Sequence, residues 1–292
     1  MDRDILSVIE AKAKKFSKGQ RQISKFILEN YDKAAFMNAE KLGRTVGVSE
    51  STVVRFASQL GYDGYPGMRR ALQEMIRNRL TSVQRIEVAR DTLDSQDILA
   101  SVLTSDIERI RATLDEVDQV AFEAAVTALL EGKRIFILGL RSSSVLSSFM
   151  GFYLSMTKEN VKVINDSVND VFEQILNIGP GDVFFAISFP RYSSRTVKAI
   201  RYAHDRGATT IALTDAEVSP IASMADVKLF AKSDMISYLD SLVAPFSMIN
   251  ALVVAMGLRS QAEISETFGR LERIWAEYNV FEPSRMPQTE GV

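Results

Sequence analysis

Cysteine is absent from the 292 residues. That excludes a disulfide framework, a thiolate metal site and a cysteine nucleophile. Histidine occurs once, at His204, so a histidine-based triad or a multi-histidine metal site is excluded within one chain. No cofactor or metal site is expected. A long apolar run is also missing. The longest uncharged stretch, residues 241–258, has 18 residues, at the short limit for a membrane span. Pro245, Asn250, Ser241 and Ser247 interrupt it, so it reads as a core or subunit-interface helix. The opening MDRDILSVIEAKAKK is charged throughout and has no apolar signal region, which points to the cytoplasm and away from any membrane.

What is present is 46% hydrophobic and 25% charged, the composition of a globular protein long enough for two domains. The net charge of −2 hides an asymmetry. Residues 1–80 hold 15 Lys+Arg against 9 Asp+Glu, a net of +6; the remainder holds 20 against 28, a net of −8. A basic module joined to an acidic one fits a DNA reader fused to a body that must not itself bind DNA.

The basic part contains NAEKLGRTVGVSESTVVRFASQL, residues 38–60. Ala39, Leu42 and Val46 fall on one helical face. Gly47 interrupts, as a residue needing positive φ does, and Ser49 follows as an N-cap. Val53, Phe56, Ala57 and Leu60 bury a second helix, and Gly61 sits at its C′ position. Gly43 lies where two steeply crossing helices need a small residue. This is the helix-turn-helix pattern, whose second helix enters the major groove; an ordinary helical hairpin has the same spacing. The outward face is Glu50, Ser51, Val54, Arg55 and Ser58, with Arg55 suited to guanine O6 and N7. Thr45, Ser49 and Thr52 complete the candidate contact set.

Around this pair, residues 2–15 read as an amphipathic helix. Ser17-Lys18-Gly19-Gln20 forms a capping box opening the next helix, which runs to about Tyr31. Pro66 suits the first turn of a further helix, decorated by Arg69, Arg70, Arg77 and Arg79, which face either phosphates or solvent. Short apolar runs at 134–138, 161–164, 183–187, 209–213 and 227–230 read as strands. Helices at about 142–158, 169–177, 193–206 and 218–224 separate them, and helix returns over about 237–278. Alternation of this kind specifies a parallel sheet covered on both faces. The fold expected is thus two domains, an all-α helix-turn-helix bundle followed by an α/β doubly wound domain with a five-stranded parallel sheet. The boundaries expected are 1–78, a helical connector at 79–105, the sheet domain at 106–280 and a loose tail at 281–292.

Ligands of such sheets bind at the carboxyl ends of strands, beside helix N-termini. Three strand ends stand out: Gly139-Leu140-Arg141-Ser142-Ser143-Ser144, Ser188-Phe189-Pro190-Arg191-Tyr192-Ser193-Ser194 and Thr214-Asp215. Clustered hydroxyls and helix-start N–H groups suit a phosphate, and Arg141, Arg191 and Arg195 add charge-assisted bonds. Taken singly, Ser142, Ser193 or Ser194 reads first as a helix cap; the two clusters together favour an anionic ligand. The candidate ligand set is Arg141, Ser142, Ser143, Ser188, Arg191, Ser193, Ser194 and Asp215.

GVSESTVVRFASQLGYDGYPGMRRAL resembles the N-terminal domain of RpiR/MurR-type transcriptional regulators. GLRSS, GPGDVFFAIS and RGATTIALTDAEVSPIASMADVKL resemble their C-terminal sugar isomerase (SIS) domain. The likeness implies a DNA-binding domain governed by a sensor of a phosphorylated sugar, in a homodimer or homotetramer assembled through the SIS domain on double-stranded operator DNA. SIS domains commonly carry S-x-S-G-x-T/S after the third strand. Here Ser188 and Ser193 keep the outer hydroxyls, while Pro190-Arg191 replaces the Ser-Gly pair. The likeness carries phosphate binding to Ser142, Ser143, Ser188 and Ser193, with Arg191 as a further grip.

A ligand-responsive transcription factor is the leading function. An SIS-type sugar-phosphate isomerase with an accessory N-terminal domain is the alternative, with Glu173 the acidic residue to watch and His204 on a charged helix, RYAHDR. A third reading is a DNA-binding protein whose SIS fold only dimerises.

Overall fold

The structure is a computed structural model and describes residues 5–77, 81–92, 97–165, 170–235 and 238–282. The chain divides into two compact units. The first takes the chain up to Ala112, together with two later segments, Pro190–Tyr192 and Lys232–Ala244; the second takes Thr113–Phe189, Ser193–Ala231 and the chain from Pro245.

The first unit is helical: α1 (Ile5–Lys12), α2 (Lys18–Glu29), α3 (Tyr31–Ala34), α4 (Ala39–Val46), α5 (Glu50–Leu60), α6 (Gly64–Arg77), α7 (Ser82–Thr92) and the start of α8 (Ile98–Glu116). The capping box is present: Ser17 Oγ accepts from Gln20 N, and Gln20 Oε1 accepts from Ser17 N. One core joins these helices through Ile9, Ile23, Ile27, Leu42, Val53, Phe56, Met68 and Leu72. α1 is shorter than the amphipathic pattern suggests; residues Ala13–Lys15 tighten into a 3-10 turn before the Ser17 cap. α3 has four residues and no periodicity to reveal it.

The later segments are held in this unit by polar contacts. Arg85, buried on α7, places Nη1 3.0 and 3.1 Å from the two carboxylate oxygens of Asp240. Ser241 Oγ donates to Asp106 Oδ1 at 2.6 Å. Met235 packs against the helical core.

The second unit contains α9 (Gln119–Glu131), β1 (Ile135–Gly139), α10 (Ser144–Ser155), β2 (Val161–Ile164), α11 (Val171–Gln174), β3 (Val183–Ile187), α12 (Ser194–Asp205), β4 (Thr209–Thr214), β5 (Val227–Phe230), α13 (Val243–Arg259) and α14 (Gln261–Glu277). The first residues of α13 belong to the first unit. All five strands are parallel, in the order β2-β1-β3-β4-β5. β1 and β3 are buried along their whole length, as continuous apolar strands in a doubly covered sheet must be. α11 and α12 cover one face through Val171, Ile175, Ala199, Ile200 and Ala203, on Phe136, Leu138, Phe184 and Ala186. α10 packs on β1 and β2.

Where the strands begin, Arg134 forms a two-toothed pair with Asp182. Nε lies 2.9 Å from Oδ1 and Nη2 2.6 Å from Oδ2. Burial alone would raise the Asp182 pKa. The hydrogen bonds from Arg134 and Gly179 N–H, with the charges of Arg134 and Lys133, outweigh it and hold the carboxyl below its ordinary value.

Three helices differ from the sequence expectation. Of the run expected at 169–177, only the single turn Val171–Gln174 is α-helical among the described residues. Residues 218–224 hold only a 3-10 turn, Ala222–Met224, because Pro220 supplies no N–H and Ser219 is tied back to Thr214. The run 237–278 becomes two helices. α13 starts only at Val243, where Pro245 is tolerated in a first turn, and the chain bends by 98° before α14. No single helix among the described residues is long and apolar enough to cross a membrane; α13 and α14 pass only as that bent pair. Arg79 and the tail expected from 281 onward, beyond Glu282, lie outside the described residues.

Candidate functional site

The helix-turn-helix is built by local chemistry. Asn38 Oδ1 accepts from Lys41 N at 2.7 Å and starts α4. Gly47 ends it in a left-handed conformation, φ +75°. Ser49 Oγ accepts from Thr52 N at 3.3 Å and starts α5, and Gly61 ends α5 at φ +106°. A Cβ at Gly43 would stand 2.8 Å from the Val48 carbonyl oxygen. Only glycine lets the turn lie this close against α4.

The outward face of α5 is polar and exposed. Glu50, Ser51, Arg55 and Ser58 are exposed, Val54 is exposed beside them, and Thr52 is half-buried. Ser49 Oγ lies 3.0 Å from Ser51 Oγ and 2.9 Å from Thr52 Oγ1. Arg55 folds back along the helix, donating from Nε to Ser51 O at 3.3 Å and from Nη2 to Ser51 Oγ at 3.4 Å. Such contacts on an exposed side chain contribute little and release readily. Thr45 is exposed on α4 and donates to Lys41 O at 2.8 Å. The structure therefore brings the expected α5 residues to one surface, with Thr45 on the preceding helix.

Sequence reasoning missed the supports of this helix. Lys12 Nζ donates to the carbonyls of Gln59 and Leu60 at 2.9 and 3.2 Å, satisfying the last turn of α5 with a cation where the helix dipole is negative. Gln20 Nε2 donates to Gln59 Oε1 at 2.6 Å. Tyr65 is buried and donates to Met37 O at 2.8 Å; burial pushes its hydroxyl up to about 12, against a smaller lowering by Arg69. These partners stand 28 to 48 residues apart, beyond any periodicity. Of the decorating arginines, Arg70 is exposed and Arg69 half-buried.

The second group of residues lies at the carboxyl ends of β1, β3 and β4. The strand order reverses between β1 and β3, so their loops leave neighbouring strands about 4.8 Å apart at the topological switch point. After β1, residues Arg141–Ser143 form a 3-10 turn folded onto Gly139, where a Cβ would meet the Ser143 carbonyl oxygen at 2.3 Å. Ser142 is exposed and Ser143 buried. After β3, Ser188 is buried and its Oγ accepts from Ser193 N at 3.3 Å. Ser193 caps α12, accepting from Thr196 N at 3.4 Å, with Ser194 and Arg195 exposed beside it. After β4, Thr214 Oγ1 lies 2.7 Å from Ser188 O, 2.8 Å from Ser219 Oγ and 3.1 Å from Asp215 Oδ1. Its one hydrogen serves the shorter contact to Ser188 O, which ties the end of β4 to the end of β3, a link the sequence did not reveal.

Two arginines in these loops share an unusual backbone. Among the described residues only Arg141 (φ +57°), Arg191 (φ +48°) and Asn279 (φ +52°) have positive φ without being glycine. Arg141 and Arg191 are both exposed, and Arg191 groups with the first unit, with Pro190 and Tyr192. The enzyme candidates stand elsewhere. Glu173 shares a cleft with Arg134, Asn160, Lys162 and Asn177. His204 lies near the far end of α12, about 16 Å from the Ser193 cap at 1.5 Å per residue, with Nδ1 3.7 Å from Asp226 Oδ1.

Comparison with known proteins agrees with this two-part architecture. Residues 3–79 match the helix-turn-helix domain of the rpiR family, and residues 128–255 match the SIS domain. The HTH-type transcriptional regulator HexR of Escherichia coli is 26% identical over 283 residues, covering 92% of this chain and 93% of that protein. An uncharacterised HTH-type transcriptional regulator of Caldanaerobacter subterraneus is 24% identical, covering 89% and 93%. Among solved structures, the sugar isomerase domain of an RpiR transcription factor from Sphaerobacter thermophilus superposes with a TM-score of 0.59 at 28% identity. It covers 61% of this chain and 99% of that one. Vibrio vulnificus NanR complexed with ManNAc-6P superposes with a TM-score of 0.57 at 22% identity, covering 94% and 98%. An rpiR-type helix-turn-helix joined to an SIS domain makes this chain a member of the RpiR family of transcriptional regulators.

Proposed function

We propose that the chain senses a phosphorylated sugar at the β1 and β3 loops and changes its hold on operator DNA accordingly, without catalysing a reaction. The observation that carries the sensor half is the pair of left-handed arginines, Arg141 and Arg191, at the ends of two neighbouring strands. A non-glycine residue in this conformation costs roughly 1–2 kcal/mol, and such strain gathers at ligand clamps. Arg191 stands where the family's loops carry glycine and keeps a glycine-like backbone while adding a guanidinium. Ser142, Ser143, Ser188, Ser193 and Ser194 supply hydroxyls and helix-start N–H groups at the ends of β1 and β3, and the Asp215 carboxylate is the acceptor for a sugar hydroxyl. NanR, of the same fold, was solved with a sugar phosphate, ManNAc-6P, which supports this ligand class. The isomerase alternative lacks support from position: Glu173 and His204 both stand away from these loops.

In the output half, Ser49, Glu50, Ser51, Thr52, Arg55 and Ser58 meet the major groove, with Thr45 from the preceding helix. Assembly as a homodimer or homotetramer through the SIS domain pairs two such helices on half-sites roughly 34 Å apart or a multiple. Exposed Phe152, Val254 and Leu258 on α10 and α13 suit that assembly. The effector acts by binding one arrangement of the pair better than the other.

Calorimetry with a panel of aldose and amino-sugar 6-phosphates tests the sensor. A member of the panel binds, and Ser142→Ala, Ser193→Ala and Arg191→Gly each weaken it about tenfold, the loss of one charge-assisted bond. Binding unchanged in all three variants removes the loops from the site. Turnover of the ligand in a coupled isomerase assay refutes the non-enzymatic reading.

A further inference from the structure

The chain leading into α2 runs along one flank of α5. Lys12 holds the carbonyls of the last turn of α5, and Gln59 Nε2 donates to Lys15 O at 3.5 Å. At the other end of α5, a Cβ on Gly19 would stand 3.2 Å from Val48 Cγ1 and 3.5 Å from Thr52 Cγ2. The start of α2 therefore lies close against the first turn of α5. At roughly 100° per residue, Thr52 and Gln59 lie about 60° and 40° around the helix from Arg55, both on the same side. The flank is the Arg55 edge of the exposed face. The segment on it, residues 12–21, KAKKFSKGQR, carries five cations and no carboxylate. Lys12 is engaged on α5, and Arg21 Nε donates to Phe16 O at 3.0 Å. Lys14, Lys15 and Lys18 are exposed, and their ammonium groups have no partner among the described residues. Other exposed cations of this unit have a carboxylate one helical turn away: Lys25 meets Glu29 at 3.9 Å and Arg44 meets Glu40 at 2.7 Å.

We infer that Lys14, Lys15 and Lys18 grip the phosphates bordering the major groove on the Arg55 side of α5. The inference rests on the reading of α5 as the helix that enters that groove, and adds a clamp from outside the helix-turn-helix pair. The groove is about 12 Å wide, and a helix with its side chains is about 10–12 Å across. A helix seated there fills the groove, so a segment lying along its edge meets the phosphate rim. Lysine suits that place: its ammonium is a point charge on a flexible stem, and a phosphate contact fixes position without reading sequence. The clamp and the reader are one rigid piece, because Lys12, Gln20 and Gln59 tie the segment to α5. Seating the lysines on the rim therefore sets the depth and direction in which Arg55 faces the bases.

The test is fluorescence anisotropy of the full-length chain over a salt series on two labelled duplexes, the DNA upstream of its own coding region and an arbitrary sequence of equal length. Each phosphate contact contributes about 0.9 to the slope of log affinity against log salt. The triple variant Lys14→Gln, Lys15→Gln, Lys18→Gln is expected to show a slope shallower by roughly 2.7 on both duplexes, and each single variant by roughly 0.9. Lys25→Gln, on α2 but paired with Glu29, keeps the wild-type slope. Thermal melts of the variants, all at exposed positions, verify folding. With wild type bound, an unchanged slope in the folded triple variant overturns the inference alone. A loss shared by Lys25→Gln, or confined to one duplex, overturns it as well. Wild type that binds neither duplex at low salt overturns the DNA-contacting role of α5, and this inference with it.

Discussion

At the scale of single residues, Arg55 and Arg191 carry different burdens. Arg55 is held only by its own helix, at Ser51, and loses almost nothing on turning outward. A fork-shaped contact to guanine contributes about 1–3 kcal/mol of discrimination. Arg55→Ala is therefore expected to weaken binding to DNA upstream of its own coding region by roughly 5- to 150-fold, with the melting temperature unchanged. Fluorescence anisotropy at fixed salt measures it; equal affinity of wild type and variant would remove Arg55 from base reading. Arg191 holds left-handed backbone where the related loops place glycine. The sequence alone could not show this positive φ, because φ is set by the loop around the residue.

At the scale of elements, what could be read in advance was local. Gly47, Ser49 and Gly61 fix the turn and both ends of α5 within a few residues of themselves, so their types announce them. The three strands β2, β3 and β5 fall on their apolar runs, because buried strands of a parallel sheet need no alternation. Contacts across long loops left no such mark. Lys12 serves α5 from a helix whose pattern shows only Ile5 and Ile9 facing inward. Placement of the β1 and β3 loops side by side followed from strand order, and the bond from Thr214 toward Ser188 did not. Gly43 belongs to this scale because it sets the approach of the turn to α4. Gly43→Ala places a methyl 2.8 Å from the Val48 carbonyl oxygen. Overpacking of this kind costs about 1–3 kcal/mol. The variant is expected to melt several degrees lower and to bind DNA more weakly; a variant as stable as wild type would show that the turn can yield.

At the scale of the whole molecule, the arrangement of the chain differs from the arrangement of its domains. The first unit is not made from the first part of the sequence alone. It includes Lys232–Ala244, whose Asp240 meets Arg85 and whose Met235 packs on the helical core. Removing one partner of a buried ion pair costs about 3–5 kcal/mol. A fragment ending at residue 112 is expected to unfold at lower urea concentration than the intact chain's helical unit. Identical midpoints would mean that the later segment adds nothing to it. During synthesis the same dependence sets an order of events. The ribosome must deliver residue 244 before the helical unit has all its parts, by which time every strand of the sheet has already been made. A nascent chain that stops early therefore leaves α5 in a helical unit that still lacks one of its segments.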